Sequence, residues 1–564
     1  MVFDDYKYER IDIDDFVLKV TDLATKLREE TNLEKSIELI DSFNKLNSHY
    51  MSMSELVSIR HSIDTCDKFY SAEQDFYDEF SPKASVAIND FHNVLLNHMF
   101  LNEFKEKYGT QWFNNMLLEN KSFSKDIVTD LAEEARLSNE YEKLLASARI
   151  PFDGKINNLS QMNVYSKSLD REIRKEAAYA RAKFMESIQD KLDDIYDKLV
   201  KVRTNMAKKM GYDNYLEFGY YRLNRSDYNY LDVRKYRDLI YKEVVPLVNK
   251  LRDSQRKRLK LDKLKFYDLG MNFIDSNLKP RGDTEELVEK AYQMYSELSS
   301  ETKEFFYYMK SHKLLDLETK ASKMGGGYTT YIPEFKSPFI FSNFNGTSAD
   351  VDVLTHEAGH AFEVYSASKE LSVPDVFWPS LEACEIHSMS MEFFTYPWAE
   401  YFFGSDANKY RYVHLVDAIN FLPYGAAVDE FQEFVYLNPL CSIDDRNKKW
   451  REIELKYMPW KDYDGVTYYE SGRFWQIQSH IYCDALYYID YTIAQICAFN
   501  FYLRDRKNHN EAWNSYLNLC KLGGAYSFYE LLEKSNQPNP LLGDTLKKTM
   551  KELTKVCKKL EKDI

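Results

Sequence analysis

The sequence is poor in the residues that interrupt regular structure. Its 564 residues include 18 glycines and 14 prolines, which leaves few positions where a helix must end or a turn must form. Cysteine is scarce too: seven are present, and no two of them have C-x-x-C spacing. The odd number and scattered positions argue against a disulfide framework or a cysteine-based zinc site. These absences favour long helices and free thiols in a reducing compartment.

Long hydrophobic runs and an excess of positive charge are also missing. No window approaches the roughly 18 uninterrupted apolar residues of a membrane span. The first residues, MVFDDYKYERIDIDDF, have neither the basic nor the apolar stretch of a secretory signal. A formal net charge of −15 disfavours binding to nucleic acid phosphates and anionic lipid. We therefore expect a cytoplasmic protein that binds neither nucleic acid nor membrane.

Helical periodicity is present over much of the chain. In residues 167–210, apolar side chains recur at spacings of three and four while charges fill the opposite face, which is typical of an amphipathic helix. The same pattern is found at 14–48, 84–107, 284–315 and 543–562. Hydrophobic residues make up 44% of the chain and aromatic residues 15%, enough for a large buried core. The sequence therefore predicts a mainly α fold.

One stretch has a different character. Residues 323–347, KMGGGYTTYIPEFKSPFIFSNFNGT, combine three consecutive glycines, two prolines and β-favouring aromatic residues, which predicts a loop and a short pair of strands. Asn345 and Gly346 form a turn signal at its end. Ser348 is then expected to cap the next helix, with Asp350 in its first turn.

That next helix contains the chemically informative motif VLTHEAGHAFEVY. His356 and His360 are four residues apart, so a helix places both imidazoles on one face, where they can bind one zinc ion. Glu357 follows the first histidine and can reach a metal-bound water, as in the H-E-x-x-H pattern of zinc peptidases. Asp352, one turn before His356, is either a hydrogen-bond partner for that imidazole or an N-terminal helix charge.

A catalytic zinc site needs a third protein ligand and an open fourth position. In metzincins, a glycine and a further histidine follow the second histidine of the motif. Here those positions hold Glu363 and Ser366, so that subclass is excluded. The third ligand is then expected to be a carboxylate on a later helix.

The segment SLEACEIHSMSMEFF, residues 380–394, offers such carboxylates on one helical stripe. Glu385, 29 positions after His356, is our choice, and spacing alone leaves Glu382 and Glu392 open. His387 points about 160° away from Glu385 at about 100° per residue. We interpret it as a packing group or an outer hydrogen-bond partner rather than a ligand.

HEAGHAFEVY and EIHSMSMEFF together resemble the oligoendopeptidase F and thimet oligopeptidase family of zinc metallopeptidases. Three further segments support this: NVYSKSLDREIRKEAAYAR from Asn163, GGGY followed by SPFIFSNFNGT, and GRFWQIQSHIYCDALYYIDY from Gly472. The likeness covers roughly residues 130–530 and is stronger for the oligoendopeptidase F branch. The resemblance implies that Glu385, rather than Glu382 or Glu392, is the third zinc ligand.

The resemblance also implies that the segment after Gly472 supplies donors that stabilise the transition state. His480, Asp484, Tyr488 and Tyr491 would share one stripe of a continuous helix, and an imidazole or phenol is a suitable oxyanion donor. The spacing differs by one residue from the thimet branch, and Asp484 occupies a position where that branch has tyrosine. We expect His480, Tyr488 and Tyr491 to act with Glu357, and the choice between Tyr488 and its neighbour Tyr487 stays open.

Members of this family are mostly helical, with two helical halves that enclose the zinc in a deep channel. The resemblance therefore implies that fold, with a small β-sheet beside the zinc helix. No linker is visible in the sequence, and we place the boundary between an N-terminal helical region, 1–175, and a catalytic region, 176–564, near residue 175. The resemblance also implies one zinc ion and short peptide substrates. The predicted strand at 337–344 could hold an extended peptide through backbone pairing.

The predicted activity is hydrolysis of internal bonds in short peptides by a zinc-activated water with Glu357 as general base. Two alternatives remain at this stage. A metallocarboxypeptidase would use the same zinc chemistry but release single C-terminal residues. A non-catalytic helical peptide-binding protein would have no chelator-sensitive activity.

Overall fold

The computed structural model of the chain describes residues 1–275 and 278–564. Helices dominate it, which confirms the predicted mainly α fold. The chain forms two compact units, each assembled from three separate stretches. Unit 1 comprises Met1–Asn120, Lys279–Tyr410 and Cys497–Pro538, and unit 2 comprises Lys121–Leu278, Arg411–Ile496 and Asn539–Ile564. The division at residue 175 stays a prediction.

Five helices follow one another at the N-terminal end of the chain, and the first three are capped by the side chains of Asp12, Asn32 and Asp67. They are α1 (Ile13–Glu29), α2 (Leu33–Ile63), α3 (Lys68–Leu96), α4 (Leu101–Tyr108) and α5 (Thr110–Ser122). The side chain of Asn32 accepts a hydrogen bond from the backbone N–H of Lys35, so a new helix starts where the pattern over 14–48 predicted continuity. The window 84–107 is likewise divided between α3 and α4.

The following stretch contains the longest helix of the described residues. Its elements are α6 (Val128–Ala146), β1 (Ile150–Phe152), β2 (Lys155–Asn157), α7 (Leu159–Tyr165), α8 (Arg171–Lys209), α9 (Tyr215–Arg222), α10 (Tyr230–Leu239) and α11 (Val245–Arg258). Asp170 caps α8 by accepting the N–H of Glu172. The bounds of α8 agree closely with the helix predicted at 167–210.

The third stretch combines helices with a small sheet. It contains α12 (Thr284–Leu298), α13 (Ser300–Ser311), β3 (Leu315–Glu318), β4 (Tyr328–Ile332), β5 (Ser337–Phe344), α14 (Ala349–Glu370), α15 (Leu381–Phe394) and α16 (Ala399–Phe403). Ser299 separates α12 from α13, because its side chain accepts the N–H of Thr302 and starts the second helix.

The sheet has the strand order β3-β5-β4. β5 pairs with β3 in parallel and with β4 in antiparallel orientation, so both of its backbone edges are occupied. The prediction that residues 337–344 form a strand is confirmed. The prediction that this strand holds a peptide by backbone pairing is wrong, because pairing needs a free edge. β4 is the edge strand next to α14.

The remaining helices are α17 (Ala407–Leu437), α18 (Ile443–Tyr457), α19 (Thr467–Glu470), α20 (Ser479–Tyr482), α21 (Ile489–Asp505), α22 (His509–Leu522), α23 (Phe528–Lys534) and α24 (Gly543–Leu560). The predicted continuous helix through His480 and Tyr491 is wrong. α20 ends at Tyr482 and α21 begins at Ile489, and Leu486 between them has a left-handed φ of 69°.

Within unit 1, α14 packs against β4, β5, α15 and α22. It is buried along most of its length, and the ring of Phe362 on α14 stacks with Trp513 on α22 at a centroid distance of 6.1 Å. A helix covered on several sides is held rigidly, which suits it to carry a precise constellation of ligands. None of the described helices combines the length and apolar character needed to cross a membrane.

Candidate metal centre

The motif helix α14 begins at a turn held by a carboxylate. Asp350 accepts hydrogen bonds from the backbone N–H groups of Asn345 and Gly346 at 3.0 and 2.7 Å. The predicted cap is wrong: the side chain of Ser348 makes no capping hydrogen bond. Asp350 instead satisfies the backbone donors that lead into the helix, and its negative charge lies at the end favoured by the helix dipole.

Three predicted ligands converge on one point. The ring centroids of His356 and His360 are 5.0 Å apart on one face of α14. Oε2 of Glu385 on α15 lies 3.3 Å from Nε2 of His356 and 3.6 Å from Nε2 of His360. One ligand atom from each of the three residues lies within 4.8 Å of the other two. We call His356, His360 and Glu385 the metal trio.

The spacing in the metal trio fits a zinc ion. Tetrahedral zinc with bonds of about 2.0–2.1 Å separates neighbouring ligand atoms by about 3.3–3.4 Å. Oε2 of Glu385 lies at that distance from Nε2 of His356, 3.3 Å, and slightly farther from Nε2 of His360, 3.6 Å. Two imidazoles and one carboxylate are also the donor set of catalytic zinc sites that leave a fourth position open.

Gly359 explains how α15 comes close enough to deliver Glu385. A Cβ atom at this position would lie 2.6 Å from Cα of Ser388 and 2.8 Å from the carbonyl oxygen of His387. Any side chain would therefore force the two helices apart, because the neighbouring atoms belong to backbone. The glycine between the two histidines of the motif is thus a packing requirement of the site.

A second layer of polar side chains orients the metal trio. Nδ1 of His356 lies 2.6 Å from Oε1 of Glu392, and the hydroxyl of Ser388 donates to Oε2 of Glu385 at 3.1 Å. Such outer partners fix the tautomer and direction of metal ligands. Glu392, one of the alternatives for the third ligand, therefore contacts His356 at Nδ1, the ring nitrogen that does not face Glu385. Asp352 accepts a hydrogen bond from Tyr410 at 2.6 Å.

Burial and nearby carboxylates act on the two imidazoles differently. Burial lowers the pKa of His360, which favours the neutral imidazole that binds metal. Burial acts in the same direction on His356, but hydrogen bonds and charges from Glu385 and Glu392 outweigh it and raise the pKa of His356. Metal binding to His356 would then release a proton.

Glu357 lies beside the metal trio and is almost fully buried. Its Oε2 atom accepts a hydrogen bond of 2.7 Å from the hydroxyl of Thr329 on β4. The same hydroxyl lies 3.0 Å from the backbone carbonyl of Glu357. This partner could not be predicted from the sequence, because no spacing rule connects a strand residue to a helix residue 28 positions later.

Behind the metal trio lie buried polar groups of another kind. His387 is fully buried, its backbone carbonyl accepts a hydrogen bond from Tyr516, and burial, followed by the charge on His360, lowers its pKa to about 3. Burial raises the pKa of Glu363 well above its usual value, which favours the protonated form of this side chain. The burial of His387 and its lowered pKa agree with the interpretation of His387 as a packing group. Glu382 is buried on the same helix as Glu385.

The predicted donors lie in unit 2. α20 and α21 are separate helices, but their rings lie close together. The ring centroid of His480 is 4.8 Å from that of Tyr488 and 5.7 Å from that of Tyr491. Tyr487 belongs to the same group of rings, 5.9 Å from His480. Burial raises the pKa of Tyr488, which keeps its hydroxyl protonated and able to donate. Asp484 lies in the turn between the helices, and burial raises its pKa.

Buried polar side chains hold that turn in place. The N–H of Leu486 donates to Gln432 at 2.9 Å, and its carbonyl accepts from Arg225 at 2.8 Å. Arg225 also forms a fully buried ion pair with Asp490. Gly219 lies so close that a Cβ there would be 2.8 Å from Cδ1 of Leu486. A left-handed leucine is strained, and these contacts stabilise it.

A neighbouring arginine fixes the residues just after His480. Arg203 is fully buried and donates to the backbone carbonyls of Ile481 and Tyr482, while Glu134 neutralises its charge. Arg222 adds a second ion pair to Glu134 at 2.8 Å. Hydrogen bonds to the backbone therefore hold the turn between α20 and α21 at both ends, after His480 and before Tyr487.

Comparison with known families identifies two matching regions. Residues 3–123 match the Peptidase M3 N-terminal domain, and residues 164–551 match Peptidase family M3. A comparison with curated proteins finds no match.

Solved structures show the same relationship over the whole chain. The chain is 48% identical to PZ peptidase A, whose structure contains an inhibitor, with a TM-score of 0.95 and 99% of each chain covered. A protein assigned as oligoendopeptidase F is 46% identical, again with a TM-score of 0.95 and 99% of each chain covered. Another protein assigned as oligoendopeptidase F, from Bacillus anthracis strain Ames, is 44% identical, with a TM-score of 0.90, 99% of this chain and 98% of that chain covered.

Proposed function

The chain belongs to peptidase family M3, and from this premise we propose that it is a zinc-dependent endopeptidase that hydrolyses internal bonds of short peptides. The observation that supports this most strongly is the metal trio, since a buried glutamate, Glu357, follows its first ligand on the same helix. A binding protein would have no need for a carboxylate at that position. The resemblance to oligoendopeptidase F proteins supports oligopeptides as substrates.

Zinc is the metal that best fits the donor set. His356, His360 and Glu385 would hold it, and Glu392 and Ser388 would keep the ligands oriented. A bound zinc ion would lower the pKa of a water in its open position and polarise the substrate carbonyl.

Glu357 is the proposed general base. It accepts a proton from the attacking water and later delivers that proton to the leaving nitrogen, so one side chain serves both steps. The burial of Glu357 keeps bulk water from competing for that proton. The family resemblance assigns His480, Tyr488 and Tyr491 as donors to the developing oxyanion, and this role rests on the resemblance alone.

β4 is the proposed site of backbone pairing with the substrate. It is an edge strand of its sheet, and its residue Thr329 contacts Glu357. A peptide that pairs with a strand edge is bound through its main chain, which permits many different side chains.

All seven cysteines are free thiols, which supports the cytoplasm as the proposed location.

Product analysis tests the proposal. Peptides of about 6 to 20 residues would be incubated with the purified protein, with and without 1,10-phenanthroline, and the products identified by mass spectrometry. Internal cleavage that the chelator abolishes is expected. Release of single C-terminal residues would indicate a carboxypeptidase instead, and absence of any cleavage would favour a binding protein. Glu357→Ala should retain zinc and lose nearly all turnover, and full activity in that variant would contradict the assignment.

A further inference from the structure

The hydroxyl of Thr329 contacts the proposed general base twice. It donates to Oε2 of Glu357 at 2.7 Å and lies 3.0 Å from the backbone carbonyl of the same residue. The contact joins β4 to α14, two elements that pack against each other within unit 1. Taking the proposed function as the starting point, we propose that Thr329 is a positioning residue that orients the carboxylate of Glu357.

Thr329 is well built for such a role. Its β-branched side chain has restricted rotation about χ1 in a strand, and its backbone is fixed by pairing with Ile340 in the central strand β5. Glu357, by contrast, has three side-chain torsions and would populate several rotamers without a partner. The hydrogen bond from the rigid Thr329 hydroxyl therefore restricts the rotamers that the Glu357 carboxylate can adopt.

The hydrogen bond also distinguishes the two carboxylate oxygens. A hydroxyl has a single proton to donate, and the geometry directs that proton to Oε2. Oε1 is then the oxygen that accepts the proton of the attacking water. Because general base catalysis requires the acceptor within about 2.6–3.2 Å of the transferred proton's donor atom, fixing which oxygen is available raises the fraction of productive encounters.

Thr329→Val tests the proposal, since valine keeps the shape and β-branching and removes only the hydroxyl. We expect kcat for an internally quenched peptide to fall about 10- to 100-fold, with KM and zinc content close to wild type. Thr329→Ser restores a hydroxyl and should recover most of the activity. Thr329→Ala serves as a second variant if valine disturbs folding, as judged by the thermal midpoint Tm.

Thr355→Val is the matched control. Thr355 is a buried threonine on α14 whose hydroxyl donates to backbone carbonyls of its own helix, at Val351 and Asp352. Its loss should leave kcat unchanged. In a Glu357→Gln background, Thr329→Val should cause no further loss, because the residue acts through the base; a purely structural role would lower activity in both backgrounds.

The outcomes separate this proposal from the proposed function. A wild-type chain without chelator-sensitive cleavage overturns both. A wild-type chain that cleaves peptides, together with a Thr329→Val variant of equal kcat, overturns the positioning role alone. Loss of zinc in Thr329→Val, or no recovery in Thr329→Ser, would also overturn it, because either result would assign the defect to packing.

Discussion

Nδ1 of His356 and Oε1 of Glu392 are 2.6 Å apart, so the first histidine of the metal trio is held from behind by a carboxylate on another helix. A hydrogen bond of this kind selects the tautomer that presents Nε2 to the metal. The carboxylate that first looked like an alternative ligand thus acts on the site through a histidine.

Glu392→Gln should weaken zinc binding by about 10- to 100-fold. The amide has a similar shape but lacks the charge that orients and polarises His356. The dissociation constant would be measured by competition with a fluorescent zinc chelator. Glu370→Gln, at the exposed end of α14, is the control and should bind zinc like wild type. An unchanged dissociation constant in Glu392→Gln would show that His356 needs no outer partner.

Gly359→Ala should impair both stability and metal binding. The new Cβ would lie 2.6 Å from the backbone of Ser388, so α15 must move and carry Glu385 with it. Overpacking of this kind costs about 1–3 kcal/mol. Calorimetric Tm and zinc content report the two effects. Gly270→Ala is the control, because the nearest atoms to its Cβ are at 3.7 Å or more; wild-type zinc binding by Gly359→Ala would contradict the close-packing argument.

Glu134 should make unit 2 sensitive to acid. Burial alone would raise the pKa of Glu134, but Arg203 and Arg222 outweigh it and lower the pKa to about 2 from its ordinary 4.5. A depressed pKa stabilises the fold above the unfolded value and loses that stabilisation as pH falls from about 4.5 to 2.

Glu134→Gln should therefore be less stable than wild type by about 3–5 kcal/mol at pH 7, because Arg203 stays buried without its charged partner. The difference should shrink as the pH falls through that window, since the wild-type carboxyl becomes neutral too. Denaturant unfolding at a series of pH values measures it. A difference that is constant with pH would show that packing, not charge, accounts for the loss.

Gln432→Leu should loosen the turn that follows α20. Without the amide oxygen, the buried N–H of Leu486 has lost its acceptor, which costs about 1–3 kcal/mol. Because the left-handed Leu486 precedes Tyr487 and Tyr488, the ring signals of these tyrosines should broaden or shift in NMR spectra. Gln495→Leu removes another buried glutamine of unit 2 and should leave those signals in place; the reverse pattern would argue against the anchoring role.

The sequence predicted most of what depends on local pattern. Periodicity predicted α8 closely, and the H-E-x-x-H spacing brought His356 and His360 to one face of α14. Local pattern was less reliable at helix ends, where Asn32 and Ser299 start new helices inside windows that looked continuous. One polar residue that caps a helix N-terminus can start a new helix even where the apolar periodicity of the sequence continues on both sides of it.

What the sequence could not predict depends on contacts between distant residues. The central position of β5 follows from pairing with strands on both sides, which no residue of β5 encodes. The break before Tyr488 follows from Leu486, a residue with no intrinsic preference for a left-handed backbone, held there by Gln432 and Arg225. The contacts of Thr329 with Glu357 and of Glu392 with His356 likewise join residues that lie far apart in the sequence.

The order in which the chain builds its two units has a consequence for synthesis on the ribosome. Stretches of unit 1 and unit 2 alternate along the chain, and α22, which covers α14, belongs to the last stretch of unit 1. The helix with both histidines therefore leaves the ribosome well before its covering helix is made. During that interval its apolar surface is open to chaperones and to wrong partners. A truncated fragment that stops before residue 497 would keep all three ligands and still lack a complete core around them.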